Sequence, residues 1–288
     1  MIDEVDFYLI DLKSKFAKID PKKYYLSYSG GKDSHLLYWF IKEYLHNTDI
    51  EVVAVNDYMQ HPEIRKRMYK YADRVLLPRL KPFEIKEKYG SPCFSKVQDE
   101  FISRYQNGSR TESLMASVLG TPRIDKNGVE RKSMFSLNNE AKKRLLEGTL
   151  HKVSNKCCYY LKKETAHRYE KESGKKAILG VRSGESIQRT SIYKSCFSKS
   201  GKFTPLHDLT DELEEAIYKK YDIEIPEVYK YTSRTGCMGC PYGFRKGEIE
   251  TELNLITPNQ RKFVVEYFKE SYDVLGVNYQ YQQTQLFE

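Results

Sequence analysis

Residues 24–40 read YYLSYSGGKDSHLLYWF. A short β-type run, Tyr24 to Tyr28, ends in Ser29-Gly30-Gly31-Lys32-Asp33-Ser34, and an apolar segment rich in helix formers follows at once. A strand-to-helix turn leaves the first N–H groups of the helix unpaired and facing outward. Gly30 and Gly31 let that backbone approach an anion closely, Ser29 and Ser34 add hydroxyl donors, and Lys32 adds a positive charge. The plainer alternative is a solvated corner in which Asp33 or Ser34 caps the helix. The loop matches neither Gly-x-x-x-x-Gly-Lys-Ser/Thr, because its spacing is too short, nor Gly-x-Gly-x-x-Gly.

Outward from this loop, strands alternate with helices. DIEVVAV (49–55) and KKAILGV (175–181) are short apolar runs of the kind buried in a parallel sheet. HPEIRKRMYKYADRVLLP (61–78) reads as a helix followed by another apolar run. The expected fold class is therefore α/β, a parallel twisted sheet with helices on both faces. Ligands in such sheets bind beyond the carboxyl ends of the strands, where Ser29–Ser34, Asp57 and Arg182 all fall. Residues 107–154, rich in Gly, Asn, Ser and charge, read as an irregular insertion or lid. Helices are expected over 208–223 and 257–275. The implied division is an α/β domain over 1–240 carrying that insertion, with a C-terminal helical extension over 241–288.

The chain of 288 residues is 40% hydrophobic and 31% charged, enough for a sizeable core in a soluble protein. No apolar run approaches the roughly 20 residues that span a bilayer, and the N-terminus lacks the basic start and cleavage site of a signal peptide. A cytoplasmic location without membrane association is the expectation. The net charge of +8 suits an anionic ligand or nucleic acid, although a solvated basic surface explains it as well. Six cysteines stand at 93, 157, 158, 196, 237 and 240; Cys157-Cys158 and Cys237-x-x-Cys240 suggest metal or redox chemistry before disulfides. The six histidines show no metal-ligand spacing.

Ser29-Gly30-Gly31-Lys32-Asp33-Ser34 resembles the Ser-Gly-Gly-x-Asp-Ser pyrophosphate loop of the adenine nucleotide α-hydrolase-like enzymes, the superfamily of N-type ATP pyrophosphatases and sulfonucleotide reductases. The resemblance implies that the loop grips the β,γ-phosphates of ATP, with Lys32 and Asp33 in catalytic roles and Asp33 helping to place Mg²⁺. A nucleophile attacks the α-phosphate there and pyrophosphate leaves, its charge met by fixed N–H donors. VVAVNDYMQHPEI (52–64) resembles the second strand of the phosphoadenosine phosphosulfate (PAPS) reductase-like branch, with Asp57, Pro62 and Glu63 in the matching places. ILGVRSGESIQR (178–189) resembles its Gly-Val-Arg-x-x-Glu-Ser-x-x-Arg stretch through Gly180, Val181, Arg182, Glu185, Ser186 and Arg189. The arginine forks suit phosphate or sulfate oxygens, and Glu185 serves to orient Arg182.

NKCCYYLKKE (155–164) and SRTGCMGCPYG (233–243) resemble the paired motifs of adenylylsulfate reductases, where four thiolates hold a [4Fe-4S] cluster. The resemblance assigns Cys157, Cys158, Cys237 and Cys240 to that cluster. By charge count alone four thiolates suit a cluster or tetrahedral Zn²⁺ equally, and free thiols are the third option. Gly90-x-Pro92 resembles the family's active-site loop, which makes Cys93 the choice for a persulfide carrier and a catalytic residue. Cys196, close after Arg189, is the other candidate, although a cysteine such as Cys93 or Cys196 is more often a buried small hydrophobe than a catalyst.

Two departures set this chain apart from the branch's reductases. Those carry a nucleophilic cysteine in the C-terminal tail, whereas this chain has none after Cys240. They also generally lack the intact loop. Both departures favour an ATP-consuming member associated with sulfur insertion, such as those of DNA phosphorothioation. The expectation is an ATP pyrophosphatase that adenylates an acceptor, with nucleic acid the leading choice, and supports sulfur transfer from a donor protein such as a cysteine desulfurase. Its cofactors would be ATP, Mg²⁺ and the cluster, and oligomers are compatible with it. The alternatives are a sulfonucleotide reductase and a non-catalytic nucleotide- or redox-sensing subunit.

Overall fold

The computed structural model describes residues 3–124, 127–131, 135–183, 195–232, 235–246 and 249–280. In chain order the elements begin with helix α1 (Glu4–Phe16), strand β1 (Tyr24–Tyr28), helix α2 (Lys32–Trp39), β2 (Glu51–Val55), α3 (Pro62–Tyr71) and β3 (Arg74–Leu76). Helices α4 (Pro82–Tyr89), α5 (Lys96–Gln106), α6 (Glu112–Leu119), α7 (Asn139–Leu146) and α8 (Glu164–Ser173) follow. Strand β4 (Lys176–Ile178) then leads to α9 (Asp211–Lys220), α10 (Ile249–Asn254) and α11 (Pro258–Leu275).

The chain divides into two compact units, each built from two separate segments: 1–78 with 164–235, and 79–163 with 236–288. The sequence division at residue 240 follows motifs, and the compact units change over after Pro78, Lys163 and Thr235.

The first unit is α/β. Its four strands lie in the order β3-β2-β1-β4, and every pairing is parallel. Alternation along β1 decides which side chain meets which face. Leu26 and Tyr28 enter the larger core with Val52, Ala54, Ile178 and residues of α1, α2 and α9, while Tyr25 enters a smaller core with Val53, Ala177 and Tyr169 of α8. Each fully buried aliphatic side chain there contributes about 1.5–3 kcal/mol. Helix α1 starts in a capping box between Asp3 and Asp6, and α3 starts with Pro62 in its first turn, where the missing N–H costs nothing.

The chain leaves β1 for β2 on one side, and β4 later joins β1 on the other. The carboxyl end of β1 is thus the switch point of the sheet, and the Ser29–Ser34 loop occupies it.

The second unit is helical. Ile102 of α5, Leu114 and Val118 of α6, and Ala141 and Leu145 of α7 bury together with Cys93 and Val153. The 107–154 stretch, expected to be irregular, therefore carries two helices. Thr111 and Asn138 cap their starts by accepting from Leu114 N–H and Ala141 N–H, and Gly120 ends α6 in the left-handed region. A short antiparallel pair joins Arg123–Ile124 to Glu130–Arg131. Among the described residues no helix is long and apolar enough to cross a membrane.

Candidate functional site

The glycine loop is held by its own hydroxyls. Ser34 Oγ accepts from Ser29 N–H at 3.2 Å and donates to the Gly31 carbonyl at 2.9 Å, while Ser29 Oγ lies 2.9 Å from Ser34 Oγ and accepts from Gly31 N–H. Gly30 has φ of +78°, and a Cβ there would also lie 2.9 Å from the Ile64 carbonyl oxygen. Gly31 is the N-cap of α2, so that helix starts with no capping side chain of its own. Its first donor finds a partner from far along the chain instead: Lys32 N–H donates to the Tyr229 hydroxyl at 3.1 Å. Helix donors without a capping side chain from their own turn, two glycines and two serines at the sheet's switch point make a polar cradle that fits a polyphosphate.

The charged side chains of the loop are paired. Lys32 Nζ lies 2.8 Å from Glu214 Oε2, and Arg182 Nε lies 2.7 Å from Asp33 Oδ1. Arg182 also meets Glu214 at 3.5 Å and makes a close pair with Asp211. Gly180 makes this possible: a Cβ on it would stand 2.9–3.0 Å from the backbone of Asp33 and Ser34, so only a bare Cα lets the segment after β4 lie against the loop. Burial and the charge of Asp33 push the Glu214 carboxyl up to about 7, against the opposing pull of Lys32 and Arg182.

Asp57 is fully buried beyond β2. Its Oδ1 accepts from Met59 N–H at 2.9 Å, and its own N–H donates to Gln60 Oε1 at 3.3 Å, in a turn where Tyr58 has φ of +65°. Asp57 therefore shapes the turn between β2 and α3. Glu63, in the first turn of α3, accepts from Glu227 N–H and Val228 N–H at 2.6 and 2.9 Å, and so fixes the 3₁₀ turn that carries Tyr229. Glu185 and Arg189 lie outside the described residues.

The second unit holds five of the six cysteines. The charges of Cys158, Cys240 and Cys237 all act on Cys157, whose thiol is raised well above its ordinary value by its hydrogen bond to Cys158, by burial and by those charges. The four thus share one neighbourhood, and burial pushes the Cys240 thiol up to about 12. Gly239, at φ of +58°, turns the chain between Cys237 and Cys240; its N–H donates to Glu252 at 2.8 Å and its carbonyl accepts from the Tyr272 hydroxyl. Four sulfur donors are a chemically suitable set for a soft metal or a cluster. As arranged here, no group of three or more His, Cys, Asp or Glu among the described residues could hold a metal ion.

Cys93 belongs to the same unit and is fully buried; burial and the charge of Asp99 raise its thiol far above the ordinary value. Asp99 Oδ2 accepts from Cys93 N–H and from the Tyr242 hydroxyl, and Asp99 Oδ1 accepts from Phe94 N–H. This setting suits a packed thiol better than an exposed nucleophile. Cys196, in the first unit, is half-buried with its sulfur 3.9 Å from His207 Nδ1.

Sequence reasoning missed Glu214, Tyr229 and Thr235. Glu214 left a trace, an acid in register with Ile217 and Tyr218 on the buried stripe of α9. Tyr229 and Thr235 left none, since nothing local marks a hydroxyl that acts about 200 residues away.

No family model matches the chain, and no curated protein matches it. Among solved structures it is similar to the PAPS reductase of Candida auris in its phosphate complex, at 14% identity over 80% of this chain and 87% of that one, with a TM-score of 0.42. It is also similar to the NH₃-dependent NAD synthetase of Campylobacter jejuni subsp. jejuni NCTC 11168 in complex with nitrate, at 12% identity over 99% and 97% of the two chains, with a TM-score of 0.36.

Proposed function

We propose that this chain is an ATP pyrophosphatase of the PAPS reductase-like kind, binding ATP at Ser29–Ser34 and transferring AMP to an acceptor in support of sulfur transfer. The observation that carries the reading is the glycine N-cap of α2 at the switch point of the sheet, which gives the helix no capping side chain of its own, with Gly180 laying Arg182 against Asp33. An acceptor oxygen attacks the α-phosphorus, the bond to the β-phosphate oxygen breaks, and pyrophosphate leaves with the charge of that bond. Backbone donors of the loop and the Lys32 ammonium meet that charge, while Asp33 would be a carboxylate ligand for Mg²⁺, which would neutralise charge on the phosphates. Cys157, Cys158, Cys237 and Cys240 do not form a metal site in their present arrangement; drawn closer together they would hold a [4Fe-4S] cluster, or Zn²⁺ in its place, the cluster supplying one-electron chemistry. A nucleic-acid acceptor and a cysteine desulfurase as sulfur donor complete the proposal; the net charge of +8 supports the former.

Sulfonucleotide reduction is less well supported. It needs a thiolate that attacks sulfur and then reaches a reductant. Cys93 is fully buried, out of reach of a reductant.

The deciding experiment incubates labelled ATP with the protein and candidate nucleic acids and measures AMP and pyrophosphate. Acceptor-dependent pyrophosphate release, lost in Gly31→Val, is expected. Sulfite release from PAPS or adenylylsulfate, without pyrophosphate from ATP, would reverse the ranking.

A further inference from the structure

The Tyr229 hydroxyl accepts from Lys32 N–H at 3.1 Å and lies 3.1 Å from Thr235 Oγ1. Both oxygens crowd the bare face of Gly31: a Cβ there would stand 2.8 Å from the Tyr229 oxygen and 3.0 Å from Thr235 Oγ1. The position is built from several sides. Glu63 pins the 3₁₀ turn Glu227–Lys230 by accepting from two of its N–H groups, and the Tyr218 hydroxyl of α9 donates to the Lys32 carbonyl at 2.7 Å. A ring alone would fill the space beside α2. What stands over Gly31 is the phenol oxygen, an acceptor on a helix donor that has no capping side chain of its own.

Resting on the reading of the loop as an ATP site, we propose that Tyr229 and Thr235 belong to the phosphate site: Tyr229 yields Lys32 N–H to an incoming phosphate oxygen and donates its own hydroxyl proton to it, with Thr235 as a second hydroxyl donor. The chemistry follows from the inventory of each group. A phenol both accepts and donates, whereas a phosphate oxygen only accepts. Once the anion takes the N–H, the phenol proton has a charged acceptor beside it, and a hydrogen bond to a charged acceptor is worth more than one to a neutral hydroxyl. The requirement for glycine at position 31 then has two parts, room for the anion and room for the hydroxyl pair that stands in its place.

The test is calorimetric titration of the full chain with inorganic pyrophosphate and with ATP. Tyr229→Phe is expected to weaken both by at least tenfold, the equivalent of about 1.4 kcal/mol, and Thr235→Ala by a smaller factor in the same direction. Gly31→Ala combined with Tyr229→Phe separates packing from binding, since Phe removes the nearer of the two oxygens that the new methyl meets and leaves Thr235 Oγ1 at 3.0 Å. That pair should recover part of the unfolding midpoint lost in Gly31→Ala without restoring pyrophosphate affinity. Equal or tighter binding by both Tyr229→Phe and Thr235→Ala would overturn the inference while leaving the loop an ATP site. A wild-type chain that binds neither ligand would remove the loop reading and this inference together.

Discussion

Glu214 is a carboxylate with 2% of its side chain exposed, set between Lys32, Arg182 and Asp33. Its carboxyl titrates at about 7 in the folded chain, against an ordinary value of 4.5. The folded state therefore holds this proton more tightly than the unfolded state does. The associated stability is fully present below about pH 4.5 and is lost as the pH rises through about 7. By linkage the difference amounts to roughly 3 kcal/mol. Glu214→Gln removes the titration, so the gap in unfolding free energy between variant and wild type should shift in favour of the variant between pH 5 and pH 8. Trp39, the single tryptophan and a buried residue of this unit, reports the transition by its fluorescence in denaturant. Parallel pH curves for the two proteins would show that Glu214 is ionised throughout.

At the scale of elements, two turns are held open by glycine. Gly180→Ala would press a methyl against the backbone of Asp33 and Ser34, which has no flexible end to yield. A destabilisation of about 1–3 kcal/mol together with weaker ATP binding is expected, measured by denaturant unfolding and calorimetry. Unchanged ATP affinity would detach the segment after β4 from the site. Gly239→Ala would force φ of +58° on an L residue and place a methyl 2.4 Å from the Tyr272 hydroxyl and 2.7 Å from Val264 Cγ1. A cost of about 1–3 kcal/mol is expected, and, if the four cysteines hold a cluster, poor iron retention after anaerobic reconstitution, read as iron per chain. Full iron content in the variant would show that this turn does not shape the cysteine site. These elements also mark how far the sequence could be read. The apolar runs behind β1, β2 and β4 and the alternation of strand with helix were legible, because a buried parallel sheet imposes both. Helices α6 and α7 were hidden, α7 offering the core only an i, i+4 apolar pair amid polar residues and α6 being a short eight-residue apolar run of no clear period, although Thr111, Gly120 and Asn138 were readable caps. Within the site the loop residues were legible because backbone chemistry fixes their type and spacing. Glu214 and Tyr229 reach it by tertiary packing, which no local pattern encodes.

For the whole molecule, 48 basic residues against 40 acidic ones set the response to salt. If a nucleic acid is the acceptor, its binding should follow counterion release. Affinity should fall linearly in log–log terms between 50 and 200 mM salt, by tenfold or more when several phosphates are neutralised. Fluorescence anisotropy with a labelled oligonucleotide measures this, and an affinity indifferent to salt would remove charge as the basis of recognition.

The interleaving of the two units has a consequence for how the chain is born. Strand β1 lies between β2 and β4, yet β4 begins at Lys176 and α9 at Asp211. On a ribosome adding roughly 5–20 residues per second, β1 gains β2 early but keeps its other flank open for about 7–30 s until its second neighbour emerges. Meanwhile the first half of the other unit is extruded, and it too lacks its closing helices until residues 249–275 appear. For that interval the nascent chain presents an unsatisfied row of backbone donors and acceptors flanked by Tyr25 and Leu26. That is the kind of edge that recruits holding chaperones or pairs with a neighbouring polysome product.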